Sequence, residues 1–293
     1  MINLSSKIKE DYPHIKSILV YKENKNIYEQ YFNNTDIHTL HNTACIFKSF
    51  LTTLIGICLD KGYLKSLDIK LIDIFKEEVT ADVSERMKDI TIAHVLSKTT
   101  GIKWPPPINN ISDEQANNIE FVFTLPTESK AGEKFAYKPD PYIIPFIIEK
   151  VSAMRFNDFL DKYLFELLSI YNYEWHRGFN ARATLKLTTR DIAKLGLLYL
   201  NKGVYSNTAV VSNNFLVDAT TTKTAGGMPE FKDYGYLWWI TKINSSKAYY
   251  ASGFGGQYMC VIPNQNLVIT ITSKLDRPHP ENLKLIELIA ADL

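Results

Sequence analysis

From Ile46 to Leu59 the chain is apolar on almost every side: Ile46, Phe47, Phe50, Leu51, Leu54, Ile55, Ile57 and Leu59 share no single stripe. That pattern predicts a central helix over about residues 44–61, covered on most faces. Asn42 or Thr43 can cap its start, and Gly62 is a natural stop. Helical spacing recurs in "DPYIIPFIIEKVSAM", in "FNDFLDKYLFELLSI" and in "TTRDIAKLGLLYLNKG". The last has a Thr cap, an acid in its first turn and a Gly end. "TIAHVLSKTTGI" predicts a helix closed by Gly101, "ENLKLIELIAADL" a closing amphipathic helix, and residues 2–12 a short surface helix. "SLDIKLIDIFKEEV" reads as a turn with a short helix, and "KWPPPINN" as a stiff loop.

Strand patterns sit at the two ends. "IKSILVYKENKNIYEQYF" predicts a hairpin around a polar turn. "YGYLWWITKI", "AYYASG", "QYMCVIP" and "NLVITITSKL" predict strands joined by short turns. The simplest packing joins both ends in one antiparallel sheet with terminal helices on a face, an α+β fold. The sheet lobe is then residues 1–40 with 232–293, and the helical lobe residues 41–231.

Composition narrows the classes. At 293 residues the chain suits one large or two intimate domains, and 45% hydrophobic with 22% charged residues is ordinary for a globular protein. A net charge of +1 recruits neither nucleic acid nor an anionic membrane. No stretch has the length of a membrane span, and "MINLSSKIKEDYPHIKS" lacks the apolar core of a secretory signal. Cys45, Cys58 and Cys260 show no disulfide spacing, which argues for reduced thiols and a cytoplasmic setting. Without a CxxC, an HExxH or a His/Cys cluster, neither a dedicated metal site nor a cofactor is expected.

Candidate chemistry lies at the start of the central helix. Cys45 and Lys48, three apart, are neighbours on its first turn. A thiol beside an ammonium at a helix N-terminus has a lowered pKa, and free backbone N–H groups there suit an oxyanion. Alone, Cys45 reads first as a buried structural thiol and Lys48 as a snorkelling lysine. A lysine on so apolar a helix, however, needs a partner or a cleft.

"CIFKSFLTTLIGICLDKGYLKSLD" resembles the first motif, S-x-x-K-S with an apolar helix, of the β-lactamase-like, penicillin-recognising serine hydrolases. The resemblance is closest to their esterase and amidase branch, which includes 6-aminohexanoate-dimer hydrolase. "ITIAHVLSKTTGIKW", "LKLTTRDIAKLGLLYLNKG", "YGYLWWI" and "ASGFGGQYMCVIPNQNLVITITS" are similar to later family segments, in family order over nearly the whole chain. The resemblance implies a cleft between the lobes, with Cys45 in the nucleophile position and Lys48 in that of the proton-handling lysine. The literal S-x-x-K at Ser6 and Lys9 lacks apolar context and is discounted.

For the family's Tyr-x-Asn, two places compete: "YSN" at Tyr205 to Asn207, which looks like a surface turn, and Tyr137 in "FAYKPDPYIIPF". The context favours Tyr137 as the proton-transfer tyrosine, although Pro139 stands where the asparagine would be. The third motif, K-T-G or H-x-G, becomes Ala251, Ser252 and Gly253, with no cation. A neutral cleft, and a substrate without an obligatory carboxylate, are the expectation. Family register implies that the backbone N–H groups of Cys45 and Phe254 form the oxyanion hole. Ser252, Gly253, His176 and Trp104 are candidate substrate contacts. Arg177 is a softer one, and Trp238 and Trp239 are candidate pocket walls.

With sulfur at the nucleophile position the intermediate is a thioester, which reacts well with amines. The expected activity is therefore hydrolysis of an amide, ester or thioester, or acyl transfer to an amine acceptor, on a small-molecule or peptide-like donor. The alternatives are a binding protein that keeps the cleft without turnover, or a serine-type esterase or amidase carrying a Ser-to-Cys exchange.

Overall fold

The computed structural model describes residues 4–79, 83–105, 111–177, 184–275 and 281–293. Helix α1 (Leu4–Asp11) precedes the hairpin of β1 (Ile15–Lys22) and β2 (Lys25–Tyr31). A two-residue strand, β3 (His41–Asn42), leads into a 3-10 turn at Ala44–Ile46 and then into α2 (Phe47–Asp60). The helical region continues with α3 (Leu71–Ile74), α4 (Ile92–Ser97), α5 (Asp113–Ala116), α6 (Ile119–Thr124), α7 (Ile144–Ser152) and α8 (Phe156–Leu160). Strands β4 (Glu174–His176) and β5 (Thr184–Leu187) pair beside β3 in a small sheet, order β3-β5-β4. Then come α9 (Thr189–Leu200), a tight hairpin of β6 (Val204–Tyr205) and β7 (Thr208–Ala209), and α10 (Asn213–Ala219). Strands β8 (Thr224–Gly227), β9 (Lys232–Tyr234), β10 (Trp239–Ile243), β11 (Ser246–Gly253), β12 (Gln257–Ile262) and β13 (Leu267–Ser273) follow, and α11 (Glu281–Asp292) closes the chain.

The main sheet has eight antiparallel strands in the order β2-β1-β13-β12-β11-β10-β9-β8. Its far edge begins at Thr224, upstream of the 232 expected for the sheet lobe. Both faces of its centre are covered. Met259 on β12 meets Gly196 of α9, whereas the next residue, Cys260, senses the charge of Glu287 on α11. Covered on two sides, β12 and β13 are buried at every position and mainly apolar, with Gln257, Thr270, Thr272 and Ser273 as their polar residues.

Helix α2 fills the junction between sheet and helices, and every residue from Phe47 to Cys58 is buried. Its polar side chains bond across it: Ser49 Oγ to Leu237 O (2.9 Å) and Thr52 Oγ1 to Tyr236 O (2.8 Å). Three sequence expectations shift. The helix after Thr91 ends at Lys98, which takes the left-handed conformation (φ 60°), three residues before Gly101. The "YGYLWWITKI" strand starts only at Trp239, because Leu237 (φ 59°) turns the chain out of extended geometry. Most of the "KWPPPINN" loop lies outside the described residues. Among the described residues, no helix is long and apolar enough to cross a membrane.

Candidate active site

The approach to α2 is pinned before Cys45 is reached. His41 pairs with Leu187 on β5, and both the N–H and the Oγ1 of Thr43 donate to Leu185 O, at 2.9 and 2.8 Å. Asn42 Oδ1 accepts from the Ala44 N–H at 2.8 Å, closing a local turn ahead of the helix. Thr43 makes no side-chain cap. Cys45 is thus presented on the 3-10 turn, half-buried, with Lys48 at the start of α2.

Lys48 Nζ donates to Cys45 Sγ at 3.1 Å. With only 4% of its surface exposed, Lys48 does not snorkel. Its Nζ lies 4.3 Å from the Tyr137 ring centroid and 5.8 Å from that of Tyr142. Tyr137 is held from behind by Trp239, stacked at 5.5 Å and 20°, with Tyr234 edge-on at 6.2 Å.

Electrostatics sets the state of the sulfur. Burial alone would raise the Cys45 thiol. The charge and hydrogen bond of Lys48, the Tyr137 hydroxyl and the charge of Lys98 together hold it below its ordinary value. Burial, then the nearby sulfur, pushes the Tyr137 phenol well up, so it stays protonated. The arrangement can present a thiolate with two proton donors around it.

The third segment reaches the same place. Pairing of β10 with β11 stops at Trp239–Tyr250, so Ala251 to Gly253 continue with β12 alone beside them. A Cβ on Gly253 would lie 2.7 Å from Thr43 O and 3.1 Å from Cys45 N. Only glycine lets β11 pass so close to the start of the helix. Phe254 follows, 58% exposed, and lines the cleft. Ser252 instead donates to Glu230 Oε1 at 2.7 Å, and Tyr250 and Tyr258 donate to the same carboxylate, so Ser252 is not among the lining residues.

The cleft holds about 750 Å³. It is not neutral. Lys16, Lys48, Lys138 and Lys274 line it, and no carboxylate does among the described lining residues. His41, also in the wall, is pushed down to about 4 by burial and by the charge of Lys16, so it adds no charge near neutrality.

Two expected contacts lie elsewhere. Trp104 is buried and gives its indole N–H to Asp140 Oδ1 at 2.7 Å. His176 is exposed and borders a shallow hollow with Glu149 and Arg177, whose ion pair is 2.5 Å long. Trp238 packs on Tyr199 rather than in the cleft, and "YSN" is the β6–β7 turn, with Ser206 and Asn207 at positive φ. Sequence reasoning missed Tyr142, Glu230 and Lys98. Glu230 lies between two short strands, and Lys98 reads as an ordinary basic cap at a helix end.

A wide antiparallel sheet against a helical region, with a Cys-x-x-Lys helix start under the sheet's third segment, defines a β-lactamase-like architecture. The family model for Beta-lactamase matches residues 16–293, and the chain belongs to that family of hydrolases. It is 23% identical over 270 residues to the 6-aminohexanoate-dimer hydrolase of Paenarthrobacter ureafaciens, covering 81% of this chain and 67% of that protein. Its fold is similar to the octameric penicillin-binding protein homologue from Pyrococcus abyssi (TM-score 0.78, 20% identity, 98% of this chain and 76% of the other). It is also similar to a family VIII carboxylesterase (TM-score 0.79, 14% identity, 99% and 95%).

Proposed function

We propose that the protein is an acyl-enzyme-forming hydrolase that attacks an amide, ester or thioester with Cys45. The observation that carries this reading is the 3.1 Å contact between Lys48 Nζ and Cys45 Sγ at a helix start that opens on the cleft. The thiolate attacks the carbonyl carbon, and the oxyanion is held by the backbone N–H groups of Cys45 and Phe254. The C–N, C–O or C–S bond to the leaving group then breaks, and the leaving amine, alcohol or thiol takes a proton from the Lys48–Tyr137 pair. A Cys45 thioester remains. Water attacks it, returns a proton to the same pair and releases a carboxylic acid with the thiolate restored.

Transfer to an amine is the competing exit, since a thioester accepts neutral amines readily. The lysine-lined cleft repels protonated ones and favours a donor carrying an anionic group. Intact-protein mass after incubation with activated esters, thioesters and peptides tests the reading. The expected result is an acyl adduct on Cys45 that is absent in Cys45→Ala. The absence of any adduct with every donor class, with turnover unchanged in Cys45→Ala, overturns it. Gain of strong hydrolysis in Cys45→Ser would instead mark a serine-type enzyme.

A further inference from the structure

We infer that Lys98 is the second cation of this site, a positioning residue that acts on Cys45 through Tyr137 and Lys48 in place of the cation absent at Ala251. The inference rests on the reading of Cys45 as a nucleophile. Lys98 has no exposed surface. Its Nζ lies 4.5 Å from the Tyr137 ring centroid, while Lys48 Nζ lies 4.3 Å from the same centroid. One phenol ring therefore serves two ammonium groups.

Neither the backbone nor the side chain of Lys98 takes the easy course. The left-handed cap of a helix is usually glycine or asparagine, and a buried ammonium costs several kcal/mol unless it is compensated. Its Nζ donates to Lys138 O at 2.5 Å. The countercharge is Asp140, buried, with Thr100 and Trp104 both donating to its Oδ1 at 2.9 and 2.7 Å. The charged or titratable groups that act on Lys98 are Lys48, Asp140 and Cys45, with the Tyr137 ring against it. Burial and the charge of Lys48 push Lys98 well below the ordinary lysine range, opposed by Asp140 and by the sulfur.

A merely structural Lys98 would need only its donor to Lys138 O. That alternative separates cleanly from a charge role, because glutamine keeps a donor and loses the charge. The readout is the pH profile of Cys45 alkylation by iodoacetamide in the full chain. Cys58 and Cys260 are fully buried with raised thiols and do not compete.

Both Lys98→Met and Lys98→Gln are expected to move the profile to higher pH, lowering reactivity at neutral pH about tenfold, the equivalent of one pK unit. Adding Ala251→Lys to Lys98→Met is expected to restore most of it. A wild-type profile in Lys98→Gln overturns the inference, as does a folded Lys98→Met/Ala251→Lys protein with no recovery.

Should the Lys98 variants not fold, the unaltered protein supplies the test. With lysine side chains labelled for NMR, alkylating Cys45 is expected to lower the titration midpoint of Lys98, because a negative neighbour is removed. An unmoved midpoint overturns the coupling. Alkylation requires no turnover, so a chain that shows this profile but never acylates fails the functional reading alone.

Discussion

Two thiols on one stretch of chain behave in opposite ways. Cys58 lies in the body of α2, fully buried among apolar side chains, and burial pushes its thiol up to about 12. Cys45 lies one turn ahead of the same helix, where burial acts in the same direction but is overcome. The difference is company. Lys48 is 3.1 Å from Cys45, and the positive end of the helix dipole is close by, whereas Cys58 lies toward the negative end and has no cation among the causes of its shift. Desolvation therefore does not separate a thiol that is held down from one that is pushed up. The same loss of water that silences Cys58 strengthens the attraction between Cys45 and Lys48.

The sharpest way to break this contrast is to exchange each thiol. Cys45→Ala is expected to abolish acyl-adduct formation, read by intact mass. Cys58→Ala should keep the adduct and lose only roughly 1 kcal/mol of stability in a denaturant melt. Equal loss of the adduct in both variants would erase the distinction. Next in size is Lys48→Met. Wild-type Cys45 alkylation should rise with pH through a midpoint below that of an ordinary thiol, because Lys48 favours the thiolate. Removing Lys48 should move that midpoint to higher pH and cut the rate at neutral pH about tenfold or more.

Gly253→Ala probes the contact that brings the third segment to Cys45. Its new Cβ would press on the backbone of Thr43 and Cys45, costing about 1–3 kcal/mol in a thermal melt. The smallest effect belongs to Trp104→Phe, which removes one of two donors to the buried Asp140. A loss of about 1–2 kcal/mol is expected, since Thr100 remains.

Long patterns were readable in the chain and short pairings were not. The apolar run of α2 and the capped pattern of α9 carry enough periodicity to announce themselves, as do the mainly apolar runs of β12 and β13. Strands β3, β4, β8 and β9 have two to four residues each, and β8 carries two glycines, so their existence depends on neighbours rather than on local preference. The same division runs through the site. Cys45 and Lys48 are one turn apart, so their meeting follows from helix geometry. Lys98 reaches Tyr137 only because α4 ends in a left-handed residue behind it, and nothing in "HVLSKTTGI" marks that lysine as buried. Trp104 is a candidate substrate contact by its place in the sequence, but its N–H is committed to the buried Asp140.

The strand order also governs when the surroundings of Cys45 are completed. Strand β1 sits between β2 and β13, so a segment near the start of the chain waits for a partner on the order of 250 residues away. Gly253 and Phe254, which close over Cys45, likewise come late. A ribosome releasing this chain from its N-terminal end finishes α2 long before β11 and β13 exist. Until then Cys45 lacks the Gly253 backbone that packs against its N–H. Lys48, Lys98 and Tyr137, which hold the thiol down, all precede β11 in the chain, so what arrives last is the β11 backbone that faces Cys45.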